Sequence, residues 1–286
     1  LVEENKMKKI LLATTALVAT TGFAAAEMTW SGSANVGMKY SDNGTTQLHN
    51  EIDLGMAATG ETDGGIGWKV EMGLDSDNTD NSGGGTGTVD EGSVTLSGDF
   101  GSIRVGAVSS ATTNVGLADV GFDTIGIDDA AEKGRNAGDT HDVEWHYNMD
   151  EIALTASFDT SDDDMAISAG WSSGSLAITV AHSAAGATGG ATATAGSIGT
   201  SVGGFAVKMM AASHSTANYD SVGLSASMPV DGLGTVTFVT GSNDTDAKSA
   251  WGIGFSKALG GGATLTGGYG SDNGNDVADL GISLSF

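Results

Sequence analysis

The chain ends Asp279-Leu280-Gly281-Ile282-Ser283-Leu284-Ser285-Phe286. Every second residue is large and apolar, and the intervening ones are small or acidic. A period of two is the mark of an extended strand with two unlike faces. The last residue is an aromatic on the apolar face. Working back, the same alternation fills the chain. Trp30, Ala34, Val36, Met38 and Tyr40 alternate with Ser31, Ser33, Asn35 and Lys39. Leu48, Ile52, Leu54 and Met56 alternate with His49, Glu51 and Asp53. Ile66, Trp68, Val70, Met72 and Leu74 alternate with Lys69, Glu71 and Asp75. Further segments follow at Val94, Ile103, Val143, Ile152, Met165, Leu176, Phe205, Val222, Val236, Trp251 and Ala263. With a weakly patterned stretch from Ala191 to Val202, the expected total is 16 strands. No segment of useful length has a helical period.

The polar partners decide which way the apolar face points. A soluble sandwich turns its apolar face inward and shows water a face rich in Lys and Glu. Here that face would be mostly Gly, Ser, Thr and Asp. A membrane-spanning barrel reverses the arrangement, with apolar residues toward lipid and small polar residues toward a water-filled interior. The segments run about ten residues, enough to cross the hydrocarbon when tilted. The sheet must then close, because lipid cannot hydrogen-bond a free edge. Aromatics near segment ends (Trp30, Tyr40, Tyr147, Trp171, Tyr219, Tyr269, Phe286) suit the two interfacial girdles. Short connectors, such as Gly98 to Gly101 and Gly203-Gly204, alternate with longer ones rich in Asp and Asn. Short turns at one rim and long loops at the other are the polarity of such a barrel.

The start of the chain is of another kind. Residues 1–6 read as an upstream extension. Met7, Lys8 and Lys9, an apolar run from Ile10 to Ala19, and Ala24-Ala25-Ala26 before Glu27 read as a cleaved signal peptide over 7–26. The barrel is expected over 27–286, exported to the outer membrane of a Gram-negative cell. The 286 residues include 46 Gly, one Pro and no Cys, so disulfide staples play no part. A formal net charge of −25 removes nucleic acid as a partner, since phosphate binding needs a basic face. Disorder is excluded by the regular placement of the apolar 39%.

The longest connector runs from Ser109 to about Thr140. A loop this long in a compact fold is usually functional. It follows the run Ser97-Gly98-Asp99-Phe100-Gly101-Ser102-Ile103-Arg104-Val105-Gly106, which resembles the short hairpin and fifth strand of alphaproteobacterial general porins of the Rhodobacter type. The resemblance extends over the whole exported chain, through its 16 segments, long third loop and terminal Phe286. It implies an all-β, 16-stranded antiparallel barrel whose third external loop, residues 109–140, folds inward and narrows a pore. It implies that Asp119, Asp123, Asp128, Asp129 and Glu132 are acidic groups of that constriction. Lys39, Lys69 and Arg104 would be opposed bases on the wall. It also implies a homotrimer, and a terminal segment (Leu280, Ile282, Leu284, Phe286) read by the barrel-assembly machinery. Outward small residues at Gly32, Ala34, Ala58 and Ala278 would let barrels approach closely.

The chain has only 11 basic residues against 36 acidic ones, and Glu51, Asp53, Glu71, Glu144 and Asp279 fall on the water-facing parity. Cation preference is therefore expected of the pore. The expected function is passive diffusion of ions and small hydrophilic solutes. A substrate-selective channel on the same barrel, or a secreted Gly/Asp-rich solenoid adhesin, is the alternative. No cofactor is required, although closely spaced carboxylates suit a structural Ca²⁺, at Asp128, Asp129 and Glu132 or at Asp162-Asp163-Asp164. Acidic outer loops suit the bridging cations of lipopolysaccharide. Other motifs fall away. Gly83-Gly84-Gly85-Thr86-Gly87 has no following helix to cradle phosphate. His141 and His146, five apart in a strand, are expected on opposite faces. No nucleophile-base set marks an enzyme.

Overall fold

In the computed structural model the chain forms a closed antiparallel barrel. The structure describes residues 27–286 except 43, 45, 79–85, 90–91, 123–124, 139, 187–189, 216–219 and 245–248. The expected signal peptide over 7–26 lies outside the described residues. The strands are β1 (Glu27–Ser41), β2 (Gln47–Glu61), β3 (Gly67–Asn78), β4 in two segments (Thr86–Val89 and Ser93–Gly98), β5 (Gly101–Val108) and β6 (His141–Met149). They continue with β7 (Ile152–Phe158), β8 (Met165–Ser173), β9 (Leu176–Ala184), β10 (Thr192–Val202) and β11 (Phe205–His214). The last are β12 (Ser221–Val230), β13 (Gly234–Asn243), β14 (Ser249–Gly260), β15 (Ala263–Asp272) and β16 (Asn275–Ser285). Both segments of β4 pair with β3, so they are one interrupted strand and the barrel has 16. The weak stretch from Ala191 is β10, paired on both sides. Leu74–Asp77 pairs with Thr86–Val89, so β3 runs on beyond the last residue of its alternating apolar pattern.

Each strand pairs with the next, and β16 returns to β1 in register from Ser33↔Ser285 to Ser41↔Val277. Two further backbone bonds, Gly32 N–H to the Phe286 carbonyl (2.8 Å) and Phe286 N–H to the Gly32 carbonyl (2.9 Å), extend the seam to the final residue. The Phe286 ring lies over Gly32, where a Cβ would meet it. Thus one of the small outward residues expected to face a neighbouring barrel is covered from within.

The apolar parity faces out. Trp30 (68% exposed), Val36, Leu48, Val70, Ile167, Val180, Met209, Ile253 and Leu280 stand open on the outer wall. Water would penalise such a belt by about 25 cal/mol per Å² of apolar surface, whereas hydrocarbon does not. Aromatics at the short-turn rim anchor through their polar tips. Trp145 Nε1 donates to the Phe100 carbonyl (2.9 Å), and Trp171 Nε1 donates to Glu151 (3.1 Å). Tyr40, Trp251 and Tyr269 mark the opposite rim. The short turns use left-handed backbone where the chain reverses, for example Asp150 (φ 46°) and Gly203 (φ 61°).

The packed core lies inside the barrel, between the wall and the connector from 109 to 140. One cluster joins Val115 and Ala131 of that connector to Ala181, Ala195, Met210 and Ala212 of β9–β11. A second joins Val120, Ile127 and Ala130 to Val239 and Ala250 of β13–β14.

Deleting Phe286 removes two seam hydrogen bonds and the ring over Gly32. The yield of heat-modifiable folded barrel in outer membranes should fall, while channels that do assemble keep the parent conductance. Parent-level assembly of the truncated chain would refute this role for the terminal residue.

Candidate functional site

The loop from 109 to 140 begins at a local break in the wall. Gly106 (φ 122°) approaches Gly92 so closely that a Cβ would lie 2.2 Å from the Gly92 carbonyl oxygen, and the β5–β6 register shifts between Val105 and Val108. The chain then turns into the lumen through a 3₁₀ turn at Ala111–Asn114. It is stapled to the inner wall by the small hydroxyls that the sequence places on the water-facing parity. Ala111 N–H donates to Ser157 Oγ (2.7 Å), and the Asn114 amide donates to Thr155 Oγ1 (3.1 Å) and Ser168 Oγ (2.8 Å). On the return path Ala137 N–H donates to Ser183 Oγ (2.9 Å). A single helical turn, α1 (Asp129–Glu132), offers its Ala131 carbonyl to Ser221 Oγ (2.5 Å) and its Ala130 carbonyl to Asn243 (3.1 Å). At the far side Phe122 N–H donates to Asp279 Oδ2 (2.7 Å).

Between these staples the wall is paved with glycine. Gly223 opposes Gly241, Gly252 opposes Gly270, Gly254 opposes Gly268, and Gly37 opposes Gly281, each pair directly across two strands. A Cβ at Gly241 would lie 2.8 Å from both Ala131 N and its Cβ. One at Gly252 would lie 2.9 Å from Ile127, and one at Gly268 would lie 2.8 Å from Gly121 Cα. These are approaches only a residue without a side chain permits. The loop therefore lies flat on the wall from β7 round to β1. The wall of β2 to β6 is left to bound the passage opposite.

The expected constriction carboxylates distribute unevenly. Asp123 lies outside the described residues. Asp119 and Asp129 are exposed, Asp128 is buried and Glu132 is half-buried. Burial pushes the Asp128 carboxyl up to about 8, aided by a hydrogen bond with the Asp119 carboxyl and by the charges of Asp119 and Glu132. Burial also raises Asp129, with Arg135 and Lys133 opposing the rise, and raises Glu132, with Arg135 opposing it. Glu132 is held by Arg135 and by Leu117 N–H (2.8 Å), and Arg135 also reaches the Val115 carbonyl (3.1 Å). Sequence reading did not single out Arg135 and Lys133. Both sit within the acidic loop, and their closeness to Glu132 along the chain was the available signal.

Across the passage, the wall bases expected to oppose these acids are each matched locally. Lys69 pairs with Glu71 (2.5 Å), and Arg104 donates to Ser93 Oγ (3.0 Å) with Glu144 as its cross-strand neighbour. Lys39 faces Asp279 across the β1–β16 seam. The three bases lie on separate strands, with an acid in reach of each position, and do not form a basic cluster. Glu51, Asp53 and Asp75 instead bring one oxygen each within 4.8 Å of one another. Asp53 and Asp75 are direct cross-strand partners. Ser33 Oγ donates to Asp53 (2.9 Å) and the Asn35 amide to Glu51 (2.9 Å), and His49 Nε2 lies 3.6 Å from Glu51.

Two expectations meet the geometry. Of the carboxylates expected to suit Ca²⁺, Asp128 bonds with Asp119, Glu132 pairs with Arg135, and Asp164 accepts Gly186 N–H (2.7 Å). Among the described residues the one mutually close carboxylate group is Glu51, Asp53 and Asp75. The second concerns the histidines. His141 and His146 both reach lumen-side hydroxyls, Ser157 (2.6 Å) and Thr155 (3.0 Å), because the shift at the start of β6 breaks strict alternation.

Two outcomes follow for loop seating. A Gly241→Val side chain meets the α1 backbone, at a cost of about 1–3 kcal/mol for overpacking. Trypsin should then cut the folded barrel at Lys133 and Arg135 faster than the parent; equal cleavage would remove the docking role of the glycine pairs. The Asp128 carboxyl sits above its ordinary range in the folded state, so its contribution to seating is full at acid pH. That contribution is lost as pH rises through about 8. Loop cleavage relative to an Asp128→Asn variant should rise between pH 6 and 9; a flat ratio would contradict it.

The barrel with its internal loop has counterparts of known structure. A five-substitution variant of the porin of Rhodopseudomonas blastica is 17% identical, covers 91% of this chain and 100% of its own, and superposes with a TM-score of 0.76. A three-substitution variant of the same porin is 18% identical with the same coverage and a TM-score of 0.75. At this identity the likeness concerns the fold. No curated protein sequence matches the chain. The sequence model of the Gram-negative porins matches residues 13–277. With lipid outside, a loop-lined lumen inside and a family match over most of its length, the chain belongs to the Gram-negative porin family, as an outer-membrane channel and not an enzyme.

Proposed function

We propose that this barrel is a general diffusion channel that passes ions and small hydrophilic solutes with a preference for cations. The observation that carries the reading is the triad Glu51, Asp53 and Asp75 on the wall facing the loop, with oxygens within 4.8 Å. In water one carboxylate attracts a monovalent cation 4 Å away by about 1 kcal/mol, and a low-dielectric wall strengthens this. Three together set the sign of the field that a permeating ion meets. The bases nearby are offset, Lys69 by Glu71 most directly. General diffusion rather than one chosen substrate fits the placement of the aromatics. The described tryptophans and tyrosines follow the outward parity, so none forms a sugar-stacking track in the lumen.

The same reading includes export through the signal at 7–26 and recognition of Leu280, Ile282, Leu284 and Phe286 by the assembly machinery. Three copies would associate through the outer face around Ala34, Ala58 and Ala278. Acidic outer-rim residues such as Asp42 and Asp276 would meet the divalent cations of lipopolysaccharide.

Reversal potentials in planar bilayers test the selectivity. The parent should favour K⁺ over Cl⁻, and the triple variant Glu51→Gln, Asp53→Asn, Asp75→Asn should lower that ratio several-fold. Anion preference in the parent would overturn the reading. Liposome swelling with sugars of equal mass should give equal rates; a sharp preference for one sugar would point to a selective channel.

A further inference from the structure

Within the channel reading, one contact governs where the innermost part of the loop can go. The Asp279 carboxylate is 7% exposed and accepts the Phe122 N–H at 2.7 Å. Gly121, with φ 105°, passes over the same carboxylate, and a Cβ there would lie 2.5 Å from Asp279 Oδ2. One residue on, the Phe122 ring fills a flat notch made by Gly281 and Gly37. These two glycines oppose each other across the β1–β16 seam, and Cβ atoms on them would lie 2.4 Å and 2.7 Å from the ring. The edge of the notch is the His49 ring, 5.5 Å away in a T-shaped contact. The ring is 7% exposed, so it is withdrawn from the passage.

We propose that Asp279 and the Gly37–Gly281 notch form a latch that holds the loop tip on the wall and keeps Phe122 out of the open half of the lumen. Asp279 is then a positioning residue for permeation. It acts by fixing the loop backbone through one charge-assisted hydrogen bond. The wall blocks outward movement of the tip, so an unlatched Phe122 swings into the passage. The other hydrogen-bonded staples, at Ser157, Thr155, Ser221 and Asn243, engage loop residues 111–114 and 130–131, so the part that moves is bounded by Val120 and Ile127, which stay seated in the second core cluster.

Single-channel recording of the full chain in planar bilayers tests this. Losing one charge-assisted hydrogen bond shifts the ratio of unseated to seated tip by about tenfold. Asp279→Ala should therefore show a matching rise in brief closures. Asp279→Asn keeps an oxygen acceptor and should stay close to the parent. Gly281→Val fills the notch and should flicker like Asp279→Ala with the carboxylate intact. Adding Phe122→Ala to Asp279→Ala removes the blocking ring and should quiet the channel. Quiet traces from both Asp279→Ala and Gly281→Val, or flicker from Asp279→Asn equal to that of Asp279→Ala, would overturn the latch. If Asp279→Ala fails to reach the folded form on unheated gels, Gly281→Val decides alone. A parent chain that conducts nothing would sink the channel reading itself, whereas a conducting but uniformly quiet set sinks only the latch.

Discussion

Lipid offers no hydrogen-bonding partner to a peptide group, and the rest of this structure follows from that. Each unpaired N–H or C=O in hydrocarbon costs several kcal/mol, so a spanning sheet cannot keep an edge. The pairing of β16 with β1 meets this requirement through the nine register pairs from Ser33↔Ser285 to Ser41↔Val277, then through Phe286 and Gly32. Closure in turn fixes the two faces. Residues of one parity meet lipid and residues of the other enclose a lumen. The lumen becomes the only place where the chain can bury a packed core.

That core forms on one side of the lumen alone. The loop brings the branched residues Val115, Val120 and Ile127, and the wall answers mostly with Ala, joined by Met210 and Val239. Opposed glycine pairs let the loop backbone approach within contact distance of the wall backbone, which larger residues would prevent. The wall of β2 and β3 also has an opposed pair, Gly55↔Gly73, but a Cβ at Gly55 would meet only Ser31, and Glu51, Asp53, Glu71 and Asp75 stand around it. The glycine pairs that touch the loop thus divide the lumen into a packed half and a passage half. Phe122 and Asp279 mark one boundary between the two.

Charge follows the same division. In the packed half, carboxylates are partly neutralised by burial and by mutual contact, as Asp128 is by Asp119, or by loop bases, as Glu132 is by Arg135. In the passage half, Glu51, Asp53 and Asp75 stand close together, while Lys69 pairs with Glu71. The resemblance to general porins implies an acidic loop opposed to a basic wall; here Lys39, Lys69 and Arg104 each have an acid across from them or beside them.

The period of two by itself determined the strands, their outward and inward parities, the need for closure and the bounds of the long connector. Those are local properties: an alternating segment turns every second side chain the same way wherever its partners lie. Even Asp75 and Asp279 were legible as water-facing. What the sequence could not supply was register. Whether Asp75 stands beside Asp53, or Gly37 opposite Gly281, depends on how strands align across the sheet, sometimes over more than 200 residues of chain. The path of the loop, the burial of Asp128, the pairing of Lys69 and the inward turn of His141 all depend on that alignment and on one bulge. Only the closed tertiary structure decides them, because hydrogen bonds across the sheet, and not the local pattern, bring those side chains together.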